Sequence, residues 1–198
     1  MDLDLDRVDL GPCAGLLHRP EAPDRVVVLP GARYPTQAPL LWFAREIALA
    51  RGAGVLEVLD EMPSEGDPFA WACDRAERAL NFTPATRGLV IGKSLASAAT
   101  GLVADRSLPA LWLTPMLNQR AVLDGLSRDS APTMLIGGTL DEMWKPDALV
   151  QAQGLEIVEL PGLDHGLQVP GDPSASLKAL EEVASLVQRF LSTALGGR

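Results

Sequence analysis

The sequence predicts a doubly wound α/β fold, a mostly parallel sheet flanked by helices. Two patterns carry this reading. Short runs rich in Val, Ile and Leu alternate with longer stretches whose apolar residues fall at helical spacing. The short runs are uninterrupted by polar residues, as expected of strands covered on both faces. The 198 residues, 47% of them hydrophobic, are enough for one folded core and exclude a disordered chain, so residues 1–198 read as a single domain.

The elements follow in order. Alternation from about Leu3 to Leu17 predicts one or two leading antiparallel strands. Arg25–Leu29 is the first buried strand, closed by Pro30-Gly31. Pro39–Arg51 is a helix with Leu40, Leu41, Phe43, Ala44, Ile47 and Ala48 on its apolar side, ended by Gly52. Val55–Leu59 is the next strand. Asp67–Leu80 is a helix with Asp67 as N-cap and Pro68 at its first position. Then come a strand at Gly88–Ile91, a helix at Leu95–Ala104, a strand at Ala110–Leu113, a short helix at Asn118–Leu126 and a strand at Thr133–Ile136. A short helix at Pro146–Gln151, a strand at Leu155–Leu160 and a long helix at Pro173–Leu195 complete the chain. Each connection is consumed by a single helix, which leaves no room for a large lid.

Seventeen Lys and Arg against 26 Asp and Glu give a net charge of −9, and no basic run occurs. Nucleic acid and anionic membrane surfaces are disfavoured as partners. The first residues carry acids where a signal peptide carries bases, and no apolar run reaches membrane-spanning length, so a cytoplasmic location is expected. Cys13 and Cys73 read as two reduced thiols, and with no Cys/His cluster no metal site is expected.

Sites in open α/β sheets form at the carboxyl ends of strands. Three such ends carry a Ser, an Asp and a His, in that chain order: Gly92-Lys93-Ser94, Gly138-Thr139-Leu140-Asp141 and Asp164-His165-Gly166. A serine on a sharp strand-to-helix turn needs small residues two before and two after it, and Gly92 and Ala96 supply them. His165 would act as general base toward Ser94, and Asp141 would hold its tautomer, with Glu142 the nearest competitor and Asp164 too close in sequence to orient the ring. The oxyanion hole would be the N–H groups of Leu95 and Ala32, with Arg33 as the second choice for the latter. Arg33, Tyr34, Met62, Met116, Leu117 and Trp144 fall just after strands and are candidates to line a pocket. Lys93 and Arg33 would make its mouth less acidic. His18, the other histidine, reads as a surface residue near a strand end.

Other readings compete for the same residues. Gly92-Lys93-Ser94 ends like a phosphate-binding loop, but Leu89-Val90-Ile91 before it is a strand, not a Gly-rich loop. Ser94 alone would pass for a helix N-cap. Ser97, a turn into the helix, is a poor nucleophile candidate.

Taken together these segments resemble the α/β-hydrolase superfamily, in particular small lid-less bacterial members related to dienelactone hydrolases and short carboxylesterases. The resemblance runs from about Arg25 to the last helix. Ala96 stands where many members have Gly, and Pro30 where many have His. The dienelactone hydrolases use a cysteine nucleophile, so that activity is not implied. What the resemblance implies is hydrolysis of an ester or thioester of a small acyl substrate through an acyl-Ser94 intermediate, with no cofactor. The alternative is a non-catalytic binding protein that keeps the fold.

Overall fold

The computed structural model describes residues 5–82, 87–149 and 154–196. Its sheet has eight strands in the order β1-β2-β4-β3-β5-β6-β7-β8. The strands are β1 (Leu5–Asp9), β2 (Ala14–His18), β3 (Asp24–Leu29), β4 (Gly54–Leu59), β5 (Arg87–Lys93), β6 (Ala110–Leu113), β7 (Thr133–Gly138) and β8 (Leu155–Leu160). The leading pair is antiparallel, and β2 joins β4 antiparallel. All later pairings are parallel.

Alternate residues of one strand point to opposite faces, which is why the buried strands read as continuous apolar runs. Val26, Val28, Leu89, Ile91, Leu111 and Leu113 pack on one face against α1 (Pro39–Ala50) and α5 (Pro173–Leu195). Val27, Leu29, Val90, Ala110, Trp112 and Leu135 pack on the other against α2 (Pro68–Phe82), α3 (Thr100–Asp105) and α4 (Arg120–Arg128). Asp67 caps α2 as expected, its Oδ1 accepting from Phe69 N–H at 2.8 Å. No described helix is long and apolar enough to cross a membrane.

Three helices differ from the periodicity. The stretch predicted as one helix over Leu95–Ala104 begins as a 3₁₀ segment, Ser94–Ala99, and becomes α-helical only at Thr100. Tertiary bonds fix these turns: Ser97 Oγ accepts from Met116 N–H at 3.0 Å, and Thr100 Oγ1 donates to the Val122 carbonyl at 3.2 Å. The Pro146–Gln151 helix is reduced to a 3₁₀ turn over Pro146–Ala148, because Leu149 leaves the helical region at φ −86°, ψ 85°. The remainder of that expectation lies outside the described residues. The Asn118–Leu126 helix starts later, at Arg120, with Gln119 extended before it.

His18 is not the surface residue its neighbours Arg19 and Pro20 imply. It ends β2 largely buried, with Nε2 at 2.7 Å from Glu57 Oε1. Glu57 is fully buried in β4 and also accepts from Arg45 Nη1 at 3.1 Å. Burial pushes its carboxyl up, but the bonds from His18 and Arg45 outweigh that and hold it below its ordinary value.

The chain leaves β3 toward β4 on one side and returns to β5 on the other. This reversal opens a crevice at the carboxyl ends of β3 and β5, where Gly31 and Ser94 lie.

Candidate active site

Ser94 follows the last residue of β5 with φ at 51°. A non-glycine residue in this left-handed region is strained, and the surroundings must hold it there. The packing beneath shows how. A Cβ on Gly92 would sit 2.5 Å from the Trp112 ring and 2.9 Å from Ala96 Cβ. Glycine at 92 therefore makes the space that alanine at 96 occupies, so the departure at Ala96 is accommodated locally. The turn lifts Ser94 to the surface at the helix start.

His165 and Asp141 come to the same rim from the ends of β8 and β7. His165 Nε2 is 2.8 Å from Ser94 Oγ, and its Nδ1 is 2.7 Å from Asp141 Oδ2. The Asp141 side chain is 1% exposed, whereas the imidazole is 35% exposed, so the carboxylate is sequestered and the imidazole open to solvent. Asp141 Oδ1 accepts from Met143 N–H at 2.9 Å, which fixes the carboxylate's rotation. Asp164 shapes the loop: its Oδ1 accepts from Gly166 N–H at 2.8 Å and Gln168 N–H at 3.1 Å. Glu142 is exposed. Ser97 is fully buried, as its position a turn into the helix implies.

Leu95 lies at the start of the 3₁₀ segment, where N–H groups lack intrahelical partners. Ala32 lies in the turn closed by mutual backbone bonds between Gly31 and Tyr34. A Cβ on Gly31 would be 3.6 Å from Ser94 Cβ, so this turn rests directly against the serine. Ala32 and Leu95 share one apolar group with Met62, Trp71 and Met116. Leu95 and Ala32 thus lie in the two segments that adjoin the serine, the 3₁₀ start and the Gly31–Tyr34 turn.

Two clefts open on the segments that flank this rim, lined by neighbours of Ser94 and His165 rather than by these two residues themselves. One, of about 640 Å³, is lined by Tyr34, Leu40, Asp164, Gly166, Val169 and Leu177 among others. The second, of about 400 Å³, includes Ala32, Arg33, Tyr34 and Met62. Tyr34 forms a wall of both, its hydroxyl accepting from Leu40 N–H at 3.0 Å. Trp144 is not a pocket residue: it is buried against Gly137, where a Cβ would lie 2.1 Å from its ring, and its indole N–H donates to Glu159 Oε2 at 2.8 Å. Leu117 is fully buried in the core.

Lys93, like His18 and Trp144, lies elsewhere than the sequence implies. It does not face the mouth. It is 2% exposed, with Nζ 2.9 Å from Thr114 Oγ1 and 2.9 Å from the His165 carbonyl. Burial lowers its pKa from 10.5 to about 8, against the opposing charges of Asp141 and Asp164. Strand alternation was the available signal, since Lys93 follows Ile91 by two and so shares its buried face. An ammonium held this way has no phosphate loop around it. Cys13 and Cys73 are free.

Sheet order, crevice and the Ser-His-Asp line define the class: the chain has the α/β-hydrolase fold, with no inserted lid among the described residues. No model of a known protein family matches the chain, and no curated protein matches its sequence. Solved structures do match. Est1E from Butyrivibrio proteoclasticus superposes with a TM-score of 0.75 at 15% identity, over 98% of this chain and 99% of that one. XC6422 from Xanthomonas campestris, a serine hydrolase without lid, gives 0.72 at 15% identity over 98% and 95%. Dienelactone hydrolase from Anabaena variabilis gives 0.72 at 21% identity over 96% of each chain. At these identities the likeness is one of fold.

Proposed function

We propose that this chain is a serine hydrolase that cleaves an ester or thioester bond through an acyl-Ser94 intermediate. The observation that carries this is the unbroken line from Ser94 Oγ to His165 Nε2 at 2.8 Å and from His165 Nδ1 to Asp141 Oδ2 at 2.7 Å. Distances of this order suit proton transfer, and they favour an enzyme over a binding protein that merely kept the fold. The fold neighbours add support: Est1E has been solved with ferulic acid bound, and other neighbours are described as serine hydrolases.

Ser94 Oγ attacks the acyl carbon while His165 Nε2 takes its proton. The carbonyl oxygen becomes an oxyanion beside the N–H groups of Leu95 and Ala32. Collapse breaks the bond to the alcohol or thiol, which leaves with the proton from His165. Water then attacks the acyl carbon, His165 takes its proton, and Ser94 and a carboxylic acid are regenerated. The Asp141 carboxylate holds the ring and stabilises the imidazolium. These steps use only side chains, backbone and water. The clefts walled by Tyr34, with Arg33 and Met62 in the smaller one, suit a compact acyl substrate reaching the serine from an open rim.

The test is turnover of p-nitrophenyl esters of graded chain length. The wild type is expected to hydrolyse the short members, and Ser94→Ala to lose at least ~10³-fold in kcat. Undiminished turnover in that variant would contradict the reading.

A further inference from the structure

The buried lysine next to the nucleophile has no part in the mechanism just written. Its surroundings are nevertheless built. Three segments converge on Nζ: Thr114 after β6, the His165 carbonyl in the loop after β8, and the Tyr34 ring, whose centroid is 4.8 Å away. Thr114 is itself unusual. It is fully buried with φ at 46°, a conformation that a β-branched residue adopts only under constraint. Its N–H donates to the Ile136 carbonyl at 2.7 Å, and its Oγ1 meets Lys93. The strained backbone thus serves to present a hydroxyl to the ammonium.

We infer that Lys93 is a positioning residue for the general base: its ammonium ties the His165 carbonyl to the ends of β5 and β6, and so holds the imidazole over Ser94. The inference rests on the hydrolase reading above and deepens it. No other side chain bonds the His165 carbonyl among the described residues. The bond is charge-assisted, roughly twice as strong as a neutral one. Two of the three neighbours of Nζ, the carbonyl and the ring face, offer only electron density. A neutral amine keeps two N–H donors for the carbonyl and the ring and accepts from the Thr114 hydroxyl, but it loses the charge that strengthens both of those contacts.

Protonation of Lys93 therefore strengthens the tie on the His165 carbonyl. The titratable groups around it are Tyr34 from the β3–α1 loop, Asp141 after β7, and Asp164 and His165 from the β8–α5 loop. The two carboxylates favour its charge, and burial opposes it more strongly. Activity is expected to fall as pH rises through about 8. Stability moves the other way. Between about 8 and the ordinary 10.5 the unfolded chain holds a proton that the folded chain has released, so the cost of burying this charge eases as pH rises. Burial pushes the Cys13 and Cys73 thiols up from 9.0, which acts on stability in the opposite sense, so circular dichroism at each pH is what separates a decline in turnover from alkaline unfolding.

The experiment compares wild type, Lys93→Met and Thr114→Val, with circular dichroism at each pH. Lys93→Met is expected to lose about 10- to 100-fold in kcat with KM within about threefold, and to lack the alkaline limb. Thr114→Val keeps the side-chain shape and removes one acceptor from the charged form, so its alkaline limb is expected to move to lower pH. Wild-type kcat in Lys93→Met, or a slow variant with an unchanged alkaline limb, would overturn the inference. Fluorophosphonate labelling separates the two readings. A wild type that neither labels nor turns over indicts the hydrolase reading, whereas equal labelling rates in wild type and Lys93→Met indict only the role of Lys93. The downfield proton resonance of His165 Nδ1–H tests Lys93 without turnover: it should weaken in both variants at neutral pH, and an unchanged resonance in both would overturn the inference.

Discussion

Asp141→Asn is expected to lower kcat by about 10³- to 10⁴-fold with little change in KM. The reason lies in how both oxygens of Asp141 are used. Oδ2 faces His165 Nδ1 at 2.7 Å, and Oδ1 accepts from Met143 N–H at 2.9 Å. An asparagine has one oxygen for these two donors. If its NH₂ faces Nδ1, the imidazole must carry its proton on Nε2, which then cannot accept from Ser94. If its oxygen faces Nδ1, the NH₂ meets the Met143 N–H and a buried backbone donor goes unpaired. Either way the base is lost or its support is. The side chain is too buried for water to repair the pairing. Steady-state kinetics check this, with thermal unfolding to show that the variant is folded. Retention of more than about a tenth of wild-type kcat would mean that Asp141 does not orient the imidazole.

The second large effect concerns the support beneath the site. A Cβ on Gly138 would lie 2.1 Å from the Leu163 carbonyl oxygen and 2.6 Å from its carbon. Both atoms are backbone, so no rotamer relieves the clash. The same carbonyl accepts from Leu140 N–H at 2.9 Å. Gly138→Ala must therefore separate the end of β7 from the loop that follows β8, and these two segments carry Asp141 and His165. A loss of ~3 kcal/mol or more is expected, together with the activity. Urea unfolding reads the first and ester turnover the second. A variant within about 0.5 kcal/mol of wild type would show that the two segments are not locked as described.

The sequence carried the sheet well because burial on both faces leaves an unbroken apolar signature at Arg25–Leu29, Gly88–Ile91 and Thr133–Ile136. It carried the Ser94, His165 and Asp141 candidates because their strand-end positions, not their local motifs, single them out. What it did not carry depends on contacts distant along the chain. The 3₁₀ geometry after Ser94 is set by bonds to Met116 and Val122. Trp144 turns inward because Gly137 leaves space and Glu159 offers an acceptor. His18 is drawn in by Glu57, a carboxylate on a strand far along the chain. Lys93 was misjudged because lysines are almost always exposed, and a general preference prevailed over the alternation of its own strand.

The central assertion is that one hydroxyl is made nucleophilic by its neighbours. Treatment of the wild type with a fluorophosphonate, followed by peptide mapping by mass spectrometry, tests it most directly. A single adduct, on Ser94, is expected. An unmodified protein, or an adduct carried by Ser97 or any other residue in place of Ser94, would contradict it.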